Sequence, residues 1–330
     1  MAAALLTGQM SVAGAGTLDK VRARGHVVCG VSNSVPGFSA ADAKGKWVGF
    51  DVDLCRALAA AIFADGGKVT VRPLEAGEGL TALRQGEIDI LTRPTDGTLE
   101  LEANGSLVFV GTSFFDGLVL LAPKALGLDS ALQLSGARVC LAEQPRLRQG
   151  LAAFFGQRKM HVEVKAFDHA SGAIAAYEAH QCEALSEELS RLPALRAALK
   201  DPWGQMQLAP LLTVHSLGPV VRQGDESWRR IAQWTLQVMI SAEQAGLDQA
   251  EAKRAATQRS PLAAQLLAAA SDLGPQLGLP ANWAEAMIGE VGNYGEAFER
   301  NLGPGSPAGL ERGLNNLWSA GGLVVAPSLR

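Results

Sequence analysis

GEIDILTRPTDGTLELE, residues Gly86 to Glu102, divides into two halves. In the first, apolar Ile88 and Ile90 alternate with Glu87 and Asp89 and lead into Leu91 and Thr92, the pattern of a short strand. In the second, residues 93–98 (RPTDGT) read as a turn-rich loop with hydroxyls and one cation, punctuated by Pro94 and Gly97. A strand ending in such a loop, inside an alternating βα chain, marks the crevice where open parallel sheets bind small ligands. The plainer alternative is an ordinary βα connection that is merely polar.

On either side the chain alternates strand and helix. Residues 27–31 (VVCGV) predict a strand, 32–39 a loop with Pro36, Gly37 and Phe38, and 46–50 a short extended segment. Asp51 is the expected cap of a helix that places Val52, Leu54, Cys55, Leu58, Ala61 and Ile62 on one face. A strand over 69–74 and a helix over 80–85, ended by Gly86, lead into the opening stretch. The same order returns: strand 138–141, helix 146–155, strand 162–167, helix 172–180, strand 182–186, then a helical stretch over 187–199 broken at Pro193. ALRQGEIDIL (82–91) even aligns with AYEAHQCEAL (176–185). Two such units predict two similar α/β lobes with right-handed crossovers. Segments 114–124 (FFDGLVLLAPK) and 213–222 (TVHSLGPVVR) are candidates for a double crossing between the lobes. Residues 226–245 then carry Trp228, Ile231, Ala232, Thr235, Leu236 and Met239 at helical spacing. A two-strand hinge beside a cleft is an architecture that closes on ligands.

A chain of 330 residues holds two domains or one large one. A formal charge of -4 suggests neither a nucleic-acid nor an anionic-membrane partner. No apolar run approaches the ~18 residues of a membrane helix. Five His and the lack of a C-x-x-C pair argue against zinc. Residues 1–16 are small, apolar and uncharged, as in a clipped secretory signal, although no Lys or Arg precedes Lys20; a disordered tail is the alternative. Cys29, Cys55, Cys140 and Cys182 allow three pairings. Two disulfides in an oxidising compartment are expected, against the alternative of four buried thiols.

Five segments carry a resemblance: TLDKVRARGHVVCGVS (17–32), WVGFDVDLCRALAAAIF (47–63), FFDGLVLLAPK, SLGPVVRQGD (216–225) and, above all, VGNYGEAFERNLGPGSPAGLERGLNNLWSAGGLVVAP (291–327). The sequence resembles the periplasmic solute-binding proteins of polar and general L-amino-acid ABC transporters, of the family 3 type, from about Thr17 to Arg330. The resemblance implies an α/β, type II periplasmic-binding-protein fold with two α/β lobes joined by a two-strand hinge. Lobe 1 is expected over 17–119 and 214–330, lobe 2 over 120–213, and a signal-peptide remnant over 1–16. It also implies a periplasmic monomer that delivers a small polar solute to an ABC permease in the inner membrane, with no cofactor and no catalysis. Cysteines at all four family positions imply the pairs Cys29–Cys55 and Cys140–Cys182.

An amino-acid site must hold a carboxylate, which suits a bidentate Arg, and an ammonium, which suits a carboxylate. The family supplies them in lobe 1 through R-N-T-T-W-T-x-x-R-D. Here Arg93, Thr95 and Thr98 match, but the second Arg, implied to grip the α-carboxylate, is Leu101, and the aromatic is Gly97. The family's lobe 2 loop Q-T-G-T-T-T-E becomes AEQPRLR (142–148), without its Gly and Thr, and Pro145 removes a backbone donor. The family's T-T-D-Q, whose Asp takes the amine, becomes Ser186-Glu187-Glu188-Leu189, with Glu188 one methylene longer. The aromatic before the tail's A-P is Val325. Scaffold motifs are kept and ligand motifs rewritten.

Candidate ligand-binding residues are Phe38, Arg93, Thr95, Asp96, Thr98, Arg146 and Glu188. Arg93 and Arg146 are expected to face each other across the cleft, with Glu188 and Asp96 as acceptors. Phe38 either stacks on the ligand or plugs a lobe surface. Asp51 and Asp53 read as capping and packing. The plainer alternative for Arg146 with Arg148, and for Glu187 with Glu188, is an exposed first helical turn. Trp228, Trp234, Trp283 and Trp318 read as core or interlobe packing, and the tail elements 293–296 and 303–305 as structural or partner-facing. The leading expectation is a transporter's solute-binding component that closes on a small polar solute other than an ordinary α-amino acid. The alternatives are a degenerate scaffold serving protein interaction or sensing, and a dehydratase-like enzyme using Glu188, Glu143 or Asp96 as acid or base.

Overall fold

Two large sheets organise the chain in this computed structural model, which describes residues 16–75 and 77–329. The signal-like segment 1–15 and the side chains of Arg93 and Pro94 lie outside the described residues. The chain begins with α1 (Thr17–Arg24) and β1 (Val27–Ser32), then a ribbon of β2 (Ala40–Ala41) and β3 (Trp47–Val48). α2 (Phe50–Phe63) is buried along most of its length. Its cap is Gly49 rather than the expected Asp51. Gly49 takes φ 134°, and a Cβ there would sit 2.1 Å from the Phe38 carbonyl oxygen, so the loop closes only over a glycine and Asp51 falls inside the first turn.

β4 (Val69–Leu74), α3 (Glu78–Gln85), β5 (Ile90–Asp96), α4 (Leu99–Ala103), β6 (Leu107–Phe109) and β7 (Phe114–Asp116) follow. The strand expected to end near Thr92 runs on to Asp96, because Thr95 and Asp96 pair with a strand from much later in the chain. Residues read as loop are thus held by a sheet. The chain crosses at Gly117 into β8 (Leu118–Pro123). β9 (Arg138–Ala142), α5 (Pro145–Gln157), β10 (Glu163–Phe167), α6 (Ala170–Glu178), β11 (Ala184–Glu188), α7 (Leu192–Ala197) and β12 (Gln205–Leu208) build the second lobe. Glu187 and Glu188 end β11 instead of opening a helix. β13 (His215–Arg222) returns to the first sheet, and α8 (Glu226–Gln244), α9 (Gln249–Ala252), α10 (Pro261–Leu273), α11 (Trp283–Val291) and α12 (Tyr294–Asn301) complete the first lobe.

The first sheet runs β4-β1-β5-β13-β6, with β7 also on β13; the second runs β10-β9-β11-β8-β12. Each sets three parallel strands beside one antiparallel strand delivered by a crossing, β13 next to β5 and β8 next to β11. The sequence repeat holds at the backbone. Gly86 and its aligned counterpart His180 are both left-handed, with φ 77° and 57°. The following N–H groups, of Glu87 and Gln181, both reach back 3.0 Å to the aligned Ala82 and Ala176 carbonyls. Aligned Asp89 and Glu183 each accept an N–H from the neighbouring parallel strand at 2.7 Å, from Val28 and Arg138. Both expected disulfides form: Cys29–Cys55 ties β1 to α2, and Cys140–Cys182 ties β9 to the approach to β11.

The tail belongs to the lobe 1 core. Tyr294 and Phe298 of α12 join Phe38, Phe50 and Phe114 in one aromatic cluster. The 293–296 element is structural: Asn293 and Glu296 close a capping box, and the Tyr294 hydroxyl donates to the Ser113 carbonyl at 3.0 Å. Buried Asn315 accepts the Phe115 N–H at 2.7 Å and donates to the Phe115 carbonyl at 3.0 Å, gripping the strand that leads into the crossing. Trp228 and Trp283 are core as expected, but Trp318 is 59% exposed, because its short 3-10 turn lies on the surface. Among the described residues no helix is long and apolar enough to cross a membrane.

Candidate functional site

The carboxyl ends of β1, β4 and β5 open onto a crevice, as parallel strands must when their following loops turn apart. A cavity of about 480 Å³ sits there, lined by Asn33, Glu75, Thr95 and Asp96 of lobe 1 and by Arg191 of lobe 2. Arg146 enters from the first turn of α5, just after Pro145 at its start. A cation at a helix N-terminus is opposed by the helix dipole, and here two carboxylates offset that. The Arg146 guanidinium donates to Asp96 of lobe 1 and, at 3.2 Å, to Glu188 Oε1 of lobe 2. Burial opposes the Arg146 charge, but Asp96 and Glu188 outweigh it and hold the group above its ordinary range. The second Asp96 oxygen, Oδ1, is buried and meets no hydrogen-bond donor among the described residues.

Behind this fork the site is acidic. Glu187 is buried at the end of β11, and desolvation pushes its carboxyl up. Asp116, next to the crossing, is also pushed up by burial, against the pull of N–H groups donated by Ser190 at 3.0 Å and Gly117 at 2.8 Å. Arg191 approaches the outer Glu188 oxygen to 3.9 Å and is otherwise open to the cavity.

The structure therefore brings Asp96, Arg146 and Glu188 together, and Thr95 lines the cavity beside Asp96. Of its two readings, Phe38 takes the one that plugs the lobe and not the one that stacks on a ligand: it is fully buried against Phe114, ring centroids 5.0 Å apart, and presents no face to the cleft. Thr98 is also turned to another task, its side chain accepting the Leu101 N–H at 3.2 Å to cap α4. Arg93 lies on β5, its side chain outside the described residues. Arg148 pairs with Glu143 on the exposed side of α5, as the plainer reading has it. Leu101 is buried with Leu83, Ile88 and Leu107, pointing into lobe 1. Sequence reasoning missed Arg191; its signal was a cation three residues after Glu188, hidden in a stretch read as plain helix.

Residues 27–247 match the bacterial extracellular solute-binding proteins, family 3. Over 330 residues the chain is 40% identical to the general L-amino acid-binding periplasmic protein AapJ of Rhizobium johnstonii, covering 99% of this chain and 97% of that one. It is 37% identical to the glutamate/glutamine/aspartate/asparagine-binding protein BztA of Rhodobacter capsulatus, covering 99% and 96%. A solved periplasmic binding protein from Brucella ovis, with glutathione bound, superposes with a TM-score of 0.80 at 39% identity, covering 96% of this chain and all of that one.

Proposed function

The chain belongs to the bacterial extracellular solute-binding proteins, family 3, and from that premise we propose that it serves an amino-acid-type ABC transporter by closing on a small polar solute other than an ordinary α-amino acid. The observation that carries this is the Arg146 fork, which ties Asp96 of one lobe to Glu188 of the other. It stands where a closed lobe pair would grip a solute. Position 101, where the family resemblance calls for a carboxylate-gripping Arg, is a buried leucine. The solute's amine meets Asp96 Oδ1 and Glu188, and its acid meets a guanidinium of lobe 2. The Arg146 guanidinium is half-exposed while its carboxylate partners are mostly covered, so a solute that displaces it must itself bring a cation to Asp96 and Glu188. The Brucella ovis neighbour holds glutathione, a γ-linked peptide rather than a free amino acid, which supports the same reading. The receptor works in the periplasm as a monomer, hands its solute to a permease in the inner membrane and performs no chemistry.

One observation favours a second reading. A cleft whose carboxylates are bridged by its own Arg146 is also what a retired site would show, and the protein would then act through protein contacts. A thermal-shift screen of the oxidised protein against amino acids, amines, organic acids, opines and small peptides separates the two. A ligand at about 100 times its Kd adds roughly 2.7 kcal/mol. The expected result is a shift with at least one solute outside the amino acids, and none with Glu, Gln, Asp or Asn. Micromolar binding of any of those four overturns the reading, and a panel without hits moves it to the protein-contact role.

A further inference from the structure

The cavity at the strand ends is half of the cleft. A second cavity, of about 410 Å³, shares Val35 and Arg191 with the first. Its wall is different in kind. The first is lined by Asn33, Glu75, Thr95 and Asp96. The second is lined largely by Pro36 of lobe 1 and by Ile174, Ala194 and Leu195 of lobe 2, with buried Glu187 as its one acidic residue. The second has walls from both lobes, whereas the first is walled by lobe 1 and takes only Arg191 of its lining residues from lobe 2. Each alone is within the ~300–1,000 Å³ of small-molecule sites. A free amino acid held in the first has no atoms to place in the second, whose apolar wall would stay wet.

We propose that the cleft is a two-compartment site for an elongated solute, of the length of a di- or tripeptide. Its charged amino end occupies the polar compartment beside Asp96. Its carboxylate or carbonyl meets Arg191 at the waist, and its less polar remainder enters the second compartment. This rests on the preceding reading and adds the solute's length and the residue that measures it. Arg191 suits the waist because it lines both cavities, and its nearest carboxylate among the described residues, Glu188, lies at 3.9 Å, beyond hydrogen-bond reach. Its guanidinium carries N–H donors suited to a carboxylate or carbonyl oxygen. Arg146 is committed to two carboxylates, so it is the weaker anchor for an anion. Burying the solute's tail against Ile174 and Leu195 supplies the apolar contribution that a short solute cannot make.

The test is calorimetric titration of the full, oxidised chain with three probes that share one amino end: glutamate, γ-glutamylcysteine and glutathione. Affinity is expected to rise at least tenfold at each step. Ala194→Trp, from an exposed position on α7, fills the second compartment and should cost glutathione at least tenfold more than the dipeptide, with the ligand-free melting temperature kept. Arg191→Ala should weaken both peptides, and Arg191→Lys should recover part of the loss. Glutathione affinity unmoved by Ala194→Trp, or glutamate bound as tightly as the peptides, overturns the two-compartment site. If the broad solute panel gives a hit that Ala194→Trp leaves untouched, only this inference falls. If neither probes nor panel bind, the receptor reading falls with it.

Discussion

Leu101 has 6% of its surface exposed and shares an apolar cluster with Leu83, Ile88 and Leu107 under the short helix α4. An arginine there would leave that cluster with a hole or with a buried charge. Leu101→Arg is expected to lower stability by about 2–5 kcal/mol, the range for losing a buried leucine, and to confer no amino-acid binding. Denaturant unfolding reads the first and titration with glutamate the second. Tight binding by the variant would show that the rewritten lobe 2 loop is immaterial. The polar residues of the cleft are legible by type, since Asp96, Arg146 and Glu188 read in the sequence as a cation and two acceptors, and in the structure Arg146 donates to both carboxylates. Phe38 was not legible. A proline-glycine-aromatic loop has the same spelling whether its ring faces a ligand or a core. What decided it was distant: Gly49 lets its chain pass against the Phe38 carbonyl, and Phe114 waits 5.0 Å away.

Between elements, two devices position the site. The first is the turn that ends the helix before β5 and before β11. Both are left-handed, but one is built on Gly86 and the other on His180. A left-handed L-residue costs roughly 1–2 kcal/mol, part of which glycine gives back as unfolded-chain entropy. His180→Gly is therefore expected to raise stability by up to about 1 kcal/mol. Gly86→Ala, whose Cβ would meet nothing within 4 Å, should lose about as much through the backbone alone. Matched urea curves check both, and a destabilised His180→Gly would show that the imidazole, not the turn, is what matters there. The second device is the double crossing. A Cβ on Gly117 would lie 2.0 Å from the carbonyl oxygen of Thr213, just before the returning strand β13. Gly117→Ala must push the two crossings apart. It should destabilise the protein and change the lobe closure measured by small-angle scattering, while an unchanged scattering curve would mean the crossings tolerate separation. The strands, helices and repeat were readable from periodicity. The extension of β5 to Asp96 was not, because its partner β13 lies more than a hundred residues downstream.

For the whole molecule, the crossing and the cleft are one electrostatic unit, and its pH response is the sharpest statement about closure. Asp116 sits on β7 just before the crossing, and its Oδ1 accepts the N–H of Ser190, the residue before Arg191. A carboxylate of lobe 1 thus holds the lobe 2 segment that carries the waist of the cleft. Burial raises the Asp116 pKa, the Ser190 and Gly117 N–H groups resist, and Glu188 adds to the rise. With the folded pKa above the unfolded value of about 3.9, the folded state binds more protons between the two. The ionised group then costs stability in full above the folded pKa, and the cost is relieved as pH falls towards the unfolded one. Glu187 acts in the same sense, its pKa raised chiefly by desolvation. Glu183 acts in the opposite sense. Its hydrogen bond to Arg138 lowers it to about 2, so its contribution is present above the unfolded carboxylate range and is lost as pH falls towards 2. Asp116→Asn keeps the Oδ1 acceptor and removes the charge. It is expected to be more stable than the parent at pH 7, with the difference shrinking on acidification and gone near pH 4, while the loss of stability below pH 4, to which Glu183 contributes, stays the same in both. Urea unfolding across pH 3–8 measures all three limbs. A variant less stable than the parent at every pH would mean that the charged acceptor's hold on Ser190 outweighs its burial, and that the crossing is kept in register by the very charge that burial opposes.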